Sequence, residues 1–238
     1  MRIIILSDSL GRPRPHLASD EATEYEQTYG YLLRTALGQA DEVEIAYVES
    51  LDSIEARHWS QRMVAYRRPD VAIFHFGIND CAPRLFRKGN RALALRPWFR
   101  KITGDVILKQ MSRYRRHMTR LRPMTYTTPA EFEANLRHIV EDVSTYSPDA
   151  RFLAISIALA PERLNRRSTG MNANVAAHNA IIERVFGDGY VEINDLTGGE
   201  CGLLSDGIHL AAASHARLAE ELERRIRALP RVSPEAVE

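Results

Sequence analysis

Near its start the chain reads Ile3-Ile4-Ile5-Leu6-Ser7-Asp8-Ser9-Leu10. Four apolar residues are followed at once by small and polar ones, which is typical of a buried strand that ends. In α/β folds the carboxyl ends of such strands hold the reactive side chains. The sequence therefore predicts a central strand here and makes Ser9 a candidate nucleophile.

Four further apolar runs predict the rest of a sheet. The five predicted strands cover about residues 2 to 8, 43 to 48, 71 to 77, 151 to 158 and 190 to 194. Helical patterns separate them, and this alternation favours a mainly parallel sheet with helices on both faces. We therefore predict an α/β fold, a three-layer sandwich around a five-stranded, flavodoxin-like sheet. One helix is predicted to begin at Thr128-Pro129-Ala130-Glu131, which combines an N-cap, a proline and a capping-box glutamate. The last helix is expected at about 210 to 228.

The composition is that of an ordinary globular protein. The chain has 238 residues, 45% of them hydrophobic and 26% charged, which suits a single domain over 1 to 229 with a flexible tail at 230 to 238. Met1-Arg2 leads directly into the first predicted strand and no apolar run approaches the ~20 residues that span a bilayer, so we expect a cytoplasmic protein. Cys81 and Cys201 lack metal-ligand spacing, so we expect free thiols and neither metal nor cofactor.

Two later blocks could complete a nucleophilic site. The third predicted strand ends in Gly77-Ile78-Asn79-Asp80, and a late loop reads Ser205-Asp206-Gly207-Ile208-His209. A serine hydroxyl becomes a nucleophile when a base accepts its proton and a third group orients that base. His209 and Asp206 can do both for Ser9. The alternative is that Ser9 and His209 only cap the segments that follow them.

These three blocks, in this order along nearly the whole chain, resemble those of the SGNH, or GDSL-type, hydrolases. The resemblance implies the SGNH-hydrolase fold and a catalytic triad of Ser9, Asp206 and His209. It also implies an oxyanion hole that contains the side chain of Asn79 and the backbone N–H of Ser9. Ser7 stands where the family's first block usually has glycine.

The family's second block supplies another backbone N–H to the oxyanion hole, from a glycine. Here that region reads Tyr47-Val48-Glu49-Ser50-Leu51-Asp52-Ser53-Ile54, with no glycine. Any backbone N–H except that of proline can donate, so we assign this donor to Asp52, on a turn at Asp52 or Ser53. Asn79 could instead be only a turn residue, and Asp80 is expected to order its loop.

Both predicted active-site loops continue into arginines. Arg12 and Arg14 follow the first block, and Arg84 follows the third. Guanidinium groups near a nucleophile suggest recognition of a carboxylate, phosphate or sulfate; the alternative is surface ion pairing with an acidic body. We predict these three, with Asp8 and Gly77, as substrate-binding residues. The Pro-Arg ends of both loops are similar to a subgroup of SGNH proteins associated with bacterial surface-polysaccharide biosynthesis.

The segment from Arg84 to Arg122 interrupts the alternation and holds thirteen basic residues against one acid, Asp105. We predict a basic helical insertion at about 84 to 122 over the active-site edge, and we expect it to select the natural substrate. A helix at 106 to 122 would carry an apolar stripe of Ile107, Met111, Tyr114, Met118 and Leu121. That stripe could pack on the protein's own core, on a second subunit in a homo-oligomer, or on a membrane surface with anionic lipid.

The combined pattern predicts a serine esterase that hydrolyses an acyl ester through a Ser9 acyl-enzyme. The expected substrate is a small molecule or glycan with an acetyl ester, such as a polysaccharide precursor. Two alternatives stay open: an acyltransferase that passes the same acyl group to a sugar hydroxyl, and a non-catalytic module that binds anionic glycans. Nucleic acid is not expected as a partner, because the insertion has few aromatic residues and no base-reading motif.

Overall fold

The computed structural model describes residues 1–17, 21–86, 88, 113–198 and 202–230, and five strands in it form one parallel sheet. The strands are β1 (Arg2–Ser7), β2 (Glu42–Tyr47), β3 (Val71–His75), β4 (Arg151–Ile155) and β5 (Tyr190–Val191). Their order in the sheet is β2-β1-β3-β4-β5. Because Ser7 of β1 pairs with His75 of β3, these two strands end side by side. The segments that carry Ser9 and Asn79 therefore leave the sheet next to each other.

Helices cover both faces of the sheet. The described helices are α1 (Tyr29–Leu37), α2 (Ser53–Met63), α3 (Ile78–Cys81), α4 (Arg115–Leu121), α5 (Pro129–Tyr146), α6 (Glu162–Arg167), α7 (Met171–Phe186), α8 (Asn194–Thr197) and α9 (Ala212–Ala228). Helices α1 and α9 bury Leu33 and Leu222 on one face. Helices α2, α5 and α7 bury Ala56, Phe132 and Val175 on the other. Parallel strands need this cover because both of their faces are apolar. The predicted three-layer α/β sandwich is confirmed.

The strands end earlier than the sequence predicts. Strand β3 stops at His75, because Gly77 has a φ of +128° and turns the chain. Beyond β4, Ile157 N donates to Asn179 Oδ1 at 2.8 Å, and Asn179 Nδ2 donates to Ile157 O at 2.9 Å. A side chain thus takes the backbone groups that strand pairing would otherwise use. The predicted start of α5 is confirmed, with the capping box between Thr128 and Glu131 in place.

The two ends of the predicted insertion lie against each other. Arg84 N donates to Met124 O at 2.7 Å, so the chain leaves and rejoins the α/β core at one point. The segment between them, apart from residues 85, 86, 88 and 113–123, lies outside the described residues. The basic helical insertion between these ends stays a prediction.

Two residues of the predicted apolar stripe on the insertion helix do not pack on the protein's own core. On and beside α4, Tyr114 is 56% and Leu121 is 72% exposed. The buried residue of α4 is Thr119, whose hydroxyl donates to Arg115 O at 2.9 Å. The buried residue of this helix is therefore polar and hydrogen-bonded to the helix itself. Ile107 and Met111 lie outside the described residues.

Among the described helices, none has the length and apolar content that a membrane crossing requires. Cys81 is buried with a free thiol. Cys201 and the predicted tail from residue 231 onward lie outside the described residues.

Candidate active site

Ser9 lies on a tight turn at the carboxyl end of β1. Asp8 N donates to His75 O at 3.0 Å, which keeps the chain paired with β3 up to this point. Leu10 N then donates to Asp8 Oδ1 at 2.8 Å, so the aspartate side chain closes the turn. Asp8 and Leu10 are buried, and Ser9 between them is only half-buried. The turn therefore presents the serine to the pocket.

Asp206 organises a second tight turn, just before α9. Its Oδ1 accepts hydrogen bonds from the backbone N–H groups of Ile208 at 2.9 Å and His209 at 3.0 Å. Gly207 has a φ of +69°, a conformation that suits glycine. Asp206 Oδ2 lies 2.5 Å from His209 Nδ1. One aspartate thus fixes both the backbone and the ring orientation of His209.

The fold brings these two turns together. Ser9 Oγ lies 3.0 Å from His209 Nε2, although the two residues are 200 positions apart in the sequence. With the 2.5 Å contact between His209 Nδ1 and Asp206 Oδ2, the three residues form one continuous chain of hydrogen bonds. A nucleophile, a base and an orienting carboxylate require this arrangement.

Arg14 contacts the same imidazole nitrogen as Ser9. Its Nη2 atom lies within hydrogen-bonding distance of His209 Nε2. A guanidinium group only donates, so Nε2 is the unprotonated nitrogen and Nδ1–H faces Asp206. In this contact Nε2 is therefore an acceptor, which is the role of a general base. Because Nε2 has one lone pair, Arg14 and Ser9 approach the same acceptor.

The two aspartates of these turns have opposite pKa shifts. Burial alone would raise the pKa of Asp206, but hydrogen bonds from His209 and from two backbone N–H groups outweigh it and hold the pKa below its ordinary value. Burial raises the pKa of Asp8 to about 8, opposed by its hydrogen bond from Leu10. At neutral pH Asp206 is therefore ionised, whereas Asp8 is mostly protonated.

Asn79 lies on α3, directly after the end of β3. Its Nδ2 donates to Leu51 O at 3.1 Å, and its Oδ1 accepts from Arg84 Nη2 at 3.1 Å. These two bonds fix the orientation of the amide. Asn79 lines the same pocket as Ser9 and His209. Since Nδ2 carries two hydrogens, the second can serve a group bound in that pocket.

The second block is arranged differently from the prediction. Asp52 is fully buried and is the N-cap of α2, where its Oδ1 accepts from Glu55 N at 3.0 Å. Its Oδ2 is paired with Lys88. Ser53 N donates to the carboxylate of Asp80, at 3.0 Å from Oδ2. Asp52 does not line the Ser9 pocket, and the predicted turn at Asp52 or Ser53 is wrong, because these residues begin a helix.

The turn in this block is at Ser50, whose φ is +58°. This left-handed conformation is uncommon outside glycine. Ser50 directly precedes Leu51, whose carbonyl oxygen accepts the hydrogen bond from Asn79. The block thus keeps a glycine-like turn beside Asn79 without having a glycine.

Asp80 connects the second sequence block to the third through hydrogen bonds. This is the role expected of a residue that orders its loop. It accepts from Ser53 Oγ at 2.6 Å and from Thr127 Oγ1 at 2.8 Å, in addition to Ser53 N. Asn135 Nδ2 donates to Ser53 Oγ at 3.0 Å and ties α5 to the same cluster. Burial raises the pKa of Asp80 to about 6, although these hydrogen bonds oppose the shift.

A pocket of about 320 Å³ opens at the triad. Ser9, Asn79 and His209 line its reactive end. Apolar side chains of Ile78, Leu164, Met171 and Ile208 form another part of the lining, and Arg84, Arg115 and Arg167 a third. The pocket therefore offers a nucleophile, an apolar surface and positive charge within one small volume.

Of the predicted substrate-binding residues, Arg84 lines this pocket. Arg12 instead forms an ion pair with Glu49 at 3.4 Å, which is the surface role left open by the sequence. Asp8 and Gly77 are buried and do not line the pocket. The prediction that they contact the substrate is therefore wrong: Asp8 closes its own turn, and Gly77 redirects the chain after β3.

Sequence reasoning did not single out two residues of this pocket. Arg115 belongs to the predicted basic insertion but was not distinguished from its neighbours, and Arg167 lies at the end of α6, a helix without a recognisable motif. Only the packing of these short helices shows which arginines reach the pocket.

Two histidines lie behind the triad. His75 Nδ1 is 3.3 Å from Tyr29 Oη, and Tyr29 N donates to His215 Nδ1 at 3.2 Å. Burial lowers the pKa of His75 to about 3 and that of His215 to about 4, with a smaller contribution from the charge of His209. Both are therefore neutral at pH 7. Within the described ranges, no three His, Cys, Asp or Glu side chains are grouped to hold a metal ion.

The fold and this arrangement of side chains together define an α/β protein built like a serine hydrolase. Neither the protein-family models nor the curated proteins gave a match to the sequence. Solved structures did. The chain is similar to the lipase/acylhydrolase from Enterococcus faecalis, at 15% identity and a TM-score of 0.63 over 98% of this chain and 100% of that one.

Two other similar structures are also esterases. Est24, a carbohydrate acetylesterase from Sinorhizobium meliloti, is 14% identical, with a TM-score of 0.59 over 96% of this chain and 99% of that one. The aryl esterase of M. smegmatis is 17% identical, also with a TM-score of 0.59 over 96% and 99% of the two chains. The chain therefore has the fold of the SGNH-type esterases, as its sequence motifs predict.

Proposed function

We propose that the protein is a serine esterase of the SGNH type, which cleaves an acyl ester through an acyl-enzyme on Ser9. The observation that carries this proposal is the chain of contacts from Ser9 Oγ to His209 Nε2 at 3.0 Å and from His209 Nδ1 to Asp206 Oδ2 at 2.5 Å. A module that only bound glycans would gain nothing from a serine hydroxyl held against a carboxylate-oriented imidazole.

In the first half-reaction Ser9 Oγ attacks the carbonyl carbon of the ester, and its proton passes to His209 Nε2. The ionised Asp206 stabilises the resulting imidazolium. When the tetrahedral intermediate collapses, the bond to the alcohol oxygen breaks and that oxygen takes the proton from Nε2. Water then repeats these steps on the acyl-enzyme and releases the carboxylic acid and free Ser9.

The negative oxygen of the tetrahedral intermediate needs fixed donors. We assign this role to the backbone N–H of Ser9, to Asn79 Nδ2 and to a backbone N–H of the turn at Ser50. The Ser50 turn replaces the earlier assignment to Asp52, because it lies next to the acceptor of the Asn79 bond and has the left-handed backbone. A protonated Asp8 adds no negative charge near this site.

The proposed substrate is an acetyl ester of a carbohydrate. A pocket of about 320 Å³ is at the small end of the range for small-molecule sites, so it suits a short acyl group with one sugar-sized alcohol. The likeness to a carbohydrate acetylesterase is consistent with this choice. The acyltransferase alternative, the surface-polysaccharide subgroup and a cytoplasmic location stay predictions.

The test is hydrolysis of 4-nitrophenyl acetate by matched pairs of variants. Ser9→Ala and His209→Ala should reduce turnover to background, whereas Ser205→Ala and His138→Ala, the same changes at exposed positions, should not. Product analysis with an added sugar separates esterase from transferase, since only the latter makes an acetylated sugar. Near-normal turnover of Ser9→Ala in a pure preparation would exclude the proposed mechanism.

A further inference from the structure

Three arginines from three separate segments converge on the Ser9 pocket. Arg84 follows α3, Arg115 is the first residue of α4, and Arg167 is the last residue of α6. The described residues that line this pocket include no aspartate or glutamate. The positive side of the pocket is therefore assembled by the fold and is not a property of one charged segment.

Arg115 is held in place by neutral acceptors. Its Nε donates to Ser168 Oγ at 2.7 Å, and its Nη2 donates to Pro83 O at 2.7 Å. These bonds orient the guanidinium without neutralising its charge. Two ordered bonds also reduce the side-chain entropy that a bound anion would otherwise have to remove.

Arg84 is held in a similar way. Its Nη2 donates to Asn79 O at 3.2 Å and to Asn79 Oδ1 at 3.1 Å, and its guanidinium carbon lies 4.3 Å from the centre of the Tyr126 ring. Its Nε is buried without a hydrogen-bond partner among the described residues. A second guanidinium is thus fixed by neutral groups, directly beside the proposed oxyanion donor.

The guanidinium groups are close enough to affect one another. Burial lowers the pKa of Arg115, and the charges of Arg167 and Arg84 lower it further. Like charges that converge in a partly buried site repel one another, and the hydrogen-bond acceptors of Arg84 and Arg115 are neutral groups that leave this repulsion in place. This repulsion favours binding of a negatively charged group among them.

We propose that Arg84, Arg115 and Arg167 form an anion subsite beside Ser9, so that the natural substrate carries a carboxylate or phosphate next to the ester that is cleaved. The inference rests on the proposed esterase function and names its substrate class: an acylated sugar acid or an acylated sugar phosphate. Guanidinium groups match both anions, because each can accept paired hydrogen bonds. Because these arginines line the same pocket as Ser9, the anion and the ester can belong to one bound molecule.

The neighbouring arginines serve as built-in controls. Arg116 follows Arg115 on α4 but lines a separate groove with Arg113 and Arg120. Arg166 precedes Arg167 on α6 and is ion-paired with Glu162 at 2.7 Å. Neutralising Arg116 and Arg166 changes the net charge of the protein as much as neutralising Arg115 and Arg167 does. Only neutralising Arg115 and Arg167 removes charge from the Ser9 pocket.

The experiment compares three sugars with an acetyl group on the same hydroxyl: a methyl glucoside, a methyl glucuronoside and a methyl glucoside 6-phosphate. The parent should have a higher kcat/KM for one or both anionic esters than for the neutral ester. In the double variant Arg115→Gln/Arg167→Gln this ratio should fall by about 10- to 100-fold, as expected for lost charge-assisted hydrogen bonds. In Arg116→Gln/Arg166→Gln the ratio should stay at the parent value.

The preferred anionic ester distinguishes a carboxylate from a phosphate. If the parent hydrolyses the neutral ester at least as well as both anionic ones, or if both double variants lower the ratio equally, the anion subsite is wrong. Thermal unfolding of each variant shows whether it is folded, and Arg167→Gln alone, an exposed change, provides a milder substitution in which the ratio should still fall.

A binding measurement separates this inference from the proposed function. Should the parent hydrolyse no ester, the esterase proposal fails, and calorimetric titration with inorganic phosphate and with glucuronate still tests the subsite. Binding that weakens about tenfold in Arg115→Gln/Arg167→Gln but not in Arg116→Gln/Arg166→Gln would support it. No binding to the parent, or equal binding to both variants, would contradict it.

Discussion

The turn that carries Ser9 and the turn that carries His209 each contain an aspartate that bonds to its own backbone, and the two aspartates differ in charge. Asp206 Oδ1 accepts from two backbone N–H groups and its Oδ2 meets the imidazole. Asp8 accepts from one backbone N–H, and its Oδ2 is buried without a partner among the described residues. Complete burial raises the pKa of Asp8, whereas hydrogen bonds to the more exposed Asp206 outweigh its burial and keep it ionised.

This difference suits the proposed chemistry. A negative charge at Asp206 stabilises an imidazolium at His209. A negative charge at Asp8, next to Ser9, would oppose the oxyanion that forms at the same place. Asp206 therefore supplies a negative charge in its turn, whereas Asp8 is neutral in the other turn.

The largest effect is expected when the charge of Asp206 is removed. Asp206→Asn should lower kcat for a short aryl ester by roughly 10,000-fold, because the amide neither stabilises the imidazolium nor selects the tautomer with Nδ1–H. Steady-state kinetics measure this loss, and circular dichroism should show an intact fold. A loss below about tenfold would mean that the carboxylate orients the backbone turn but does not act on the ring.

Replacing Asn79 tests whether a donor at the end of β3 stabilises the transition state formed at Ser9. Asn79→Ala should lower kcat by about 100- to 1,000-fold with little change in KM, since its second amide hydrogen is used mainly in the transition state. Asn174→Ala is a suitable control, because it removes a bond of 2.9 Å to Cys81 O on the same short helix without removing a donor to the pocket. A raised KM with preserved kcat would make Asn79 a residue that binds the ground state.

The charge state of Asp8 predicts a dependence of stability on pH. With a pKa of about 8 in the folded protein and an ordinary value near 4 when unfolded, Asp8 keeps its proton in the folded state while the unfolded state loses it. Stability should therefore fall as pH rises from about 4 to 8, and this contribution should be constant above that range.

Asp8→Asn removes the titrating group and with it this pH dependence of stability. Between pH 5 and pH 7 the stability of the variant relative to the parent should rise by about 2 to 3 kcal/mol, measured by urea unfolding at each pH. Ser205→Ala, on the other turn, serves as the pH-independent control. A difference between variant and parent that does not change with pH would show that Asp8 is ionised throughout.

Much of the proposed catalytic site could be predicted from the sequence, because the Ser9 turn and the Asp206–His209 turn are each built locally. Ser9 follows a buried strand, and the Asp206-x-x-His209 spacing allows one carboxylate to bond both the backbone and the ring of His209. Strand ends in a parallel sheet then bring such turns to one edge. These local patterns, together with the resemblance of the three blocks to the SGNH hydrolases, led to the proposed triad.

The rest depends on packing and backbone conformation that no local pattern encodes. The turn at Ser50 requires a left-handed residue, and serine there gives no signal. Arg115 and Arg116 are chemically identical, but as neighbours on a helix they point in different directions, so Arg115 lines the Ser9 pocket and Arg116 lines a separate groove. Packing also decides that Tyr114 and Leu121 of the predicted apolar stripe stay exposed and do not reach the protein's own core.

The most direct test of the account is covalent labelling of the nucleophile. The parent protein is incubated with a fluorophosphonate probe, digested, and analysed by mass spectrometry to locate the modified residue. We predict a single modification at Ser9, lost in His209→Ala, because the serine reacts only when the imidazole accepts its proton. Labelling at another residue, or an unlabelled Ser9 in a preparation that hydrolyses esters, would contradict the assignment of Ser9 as the nucleophile.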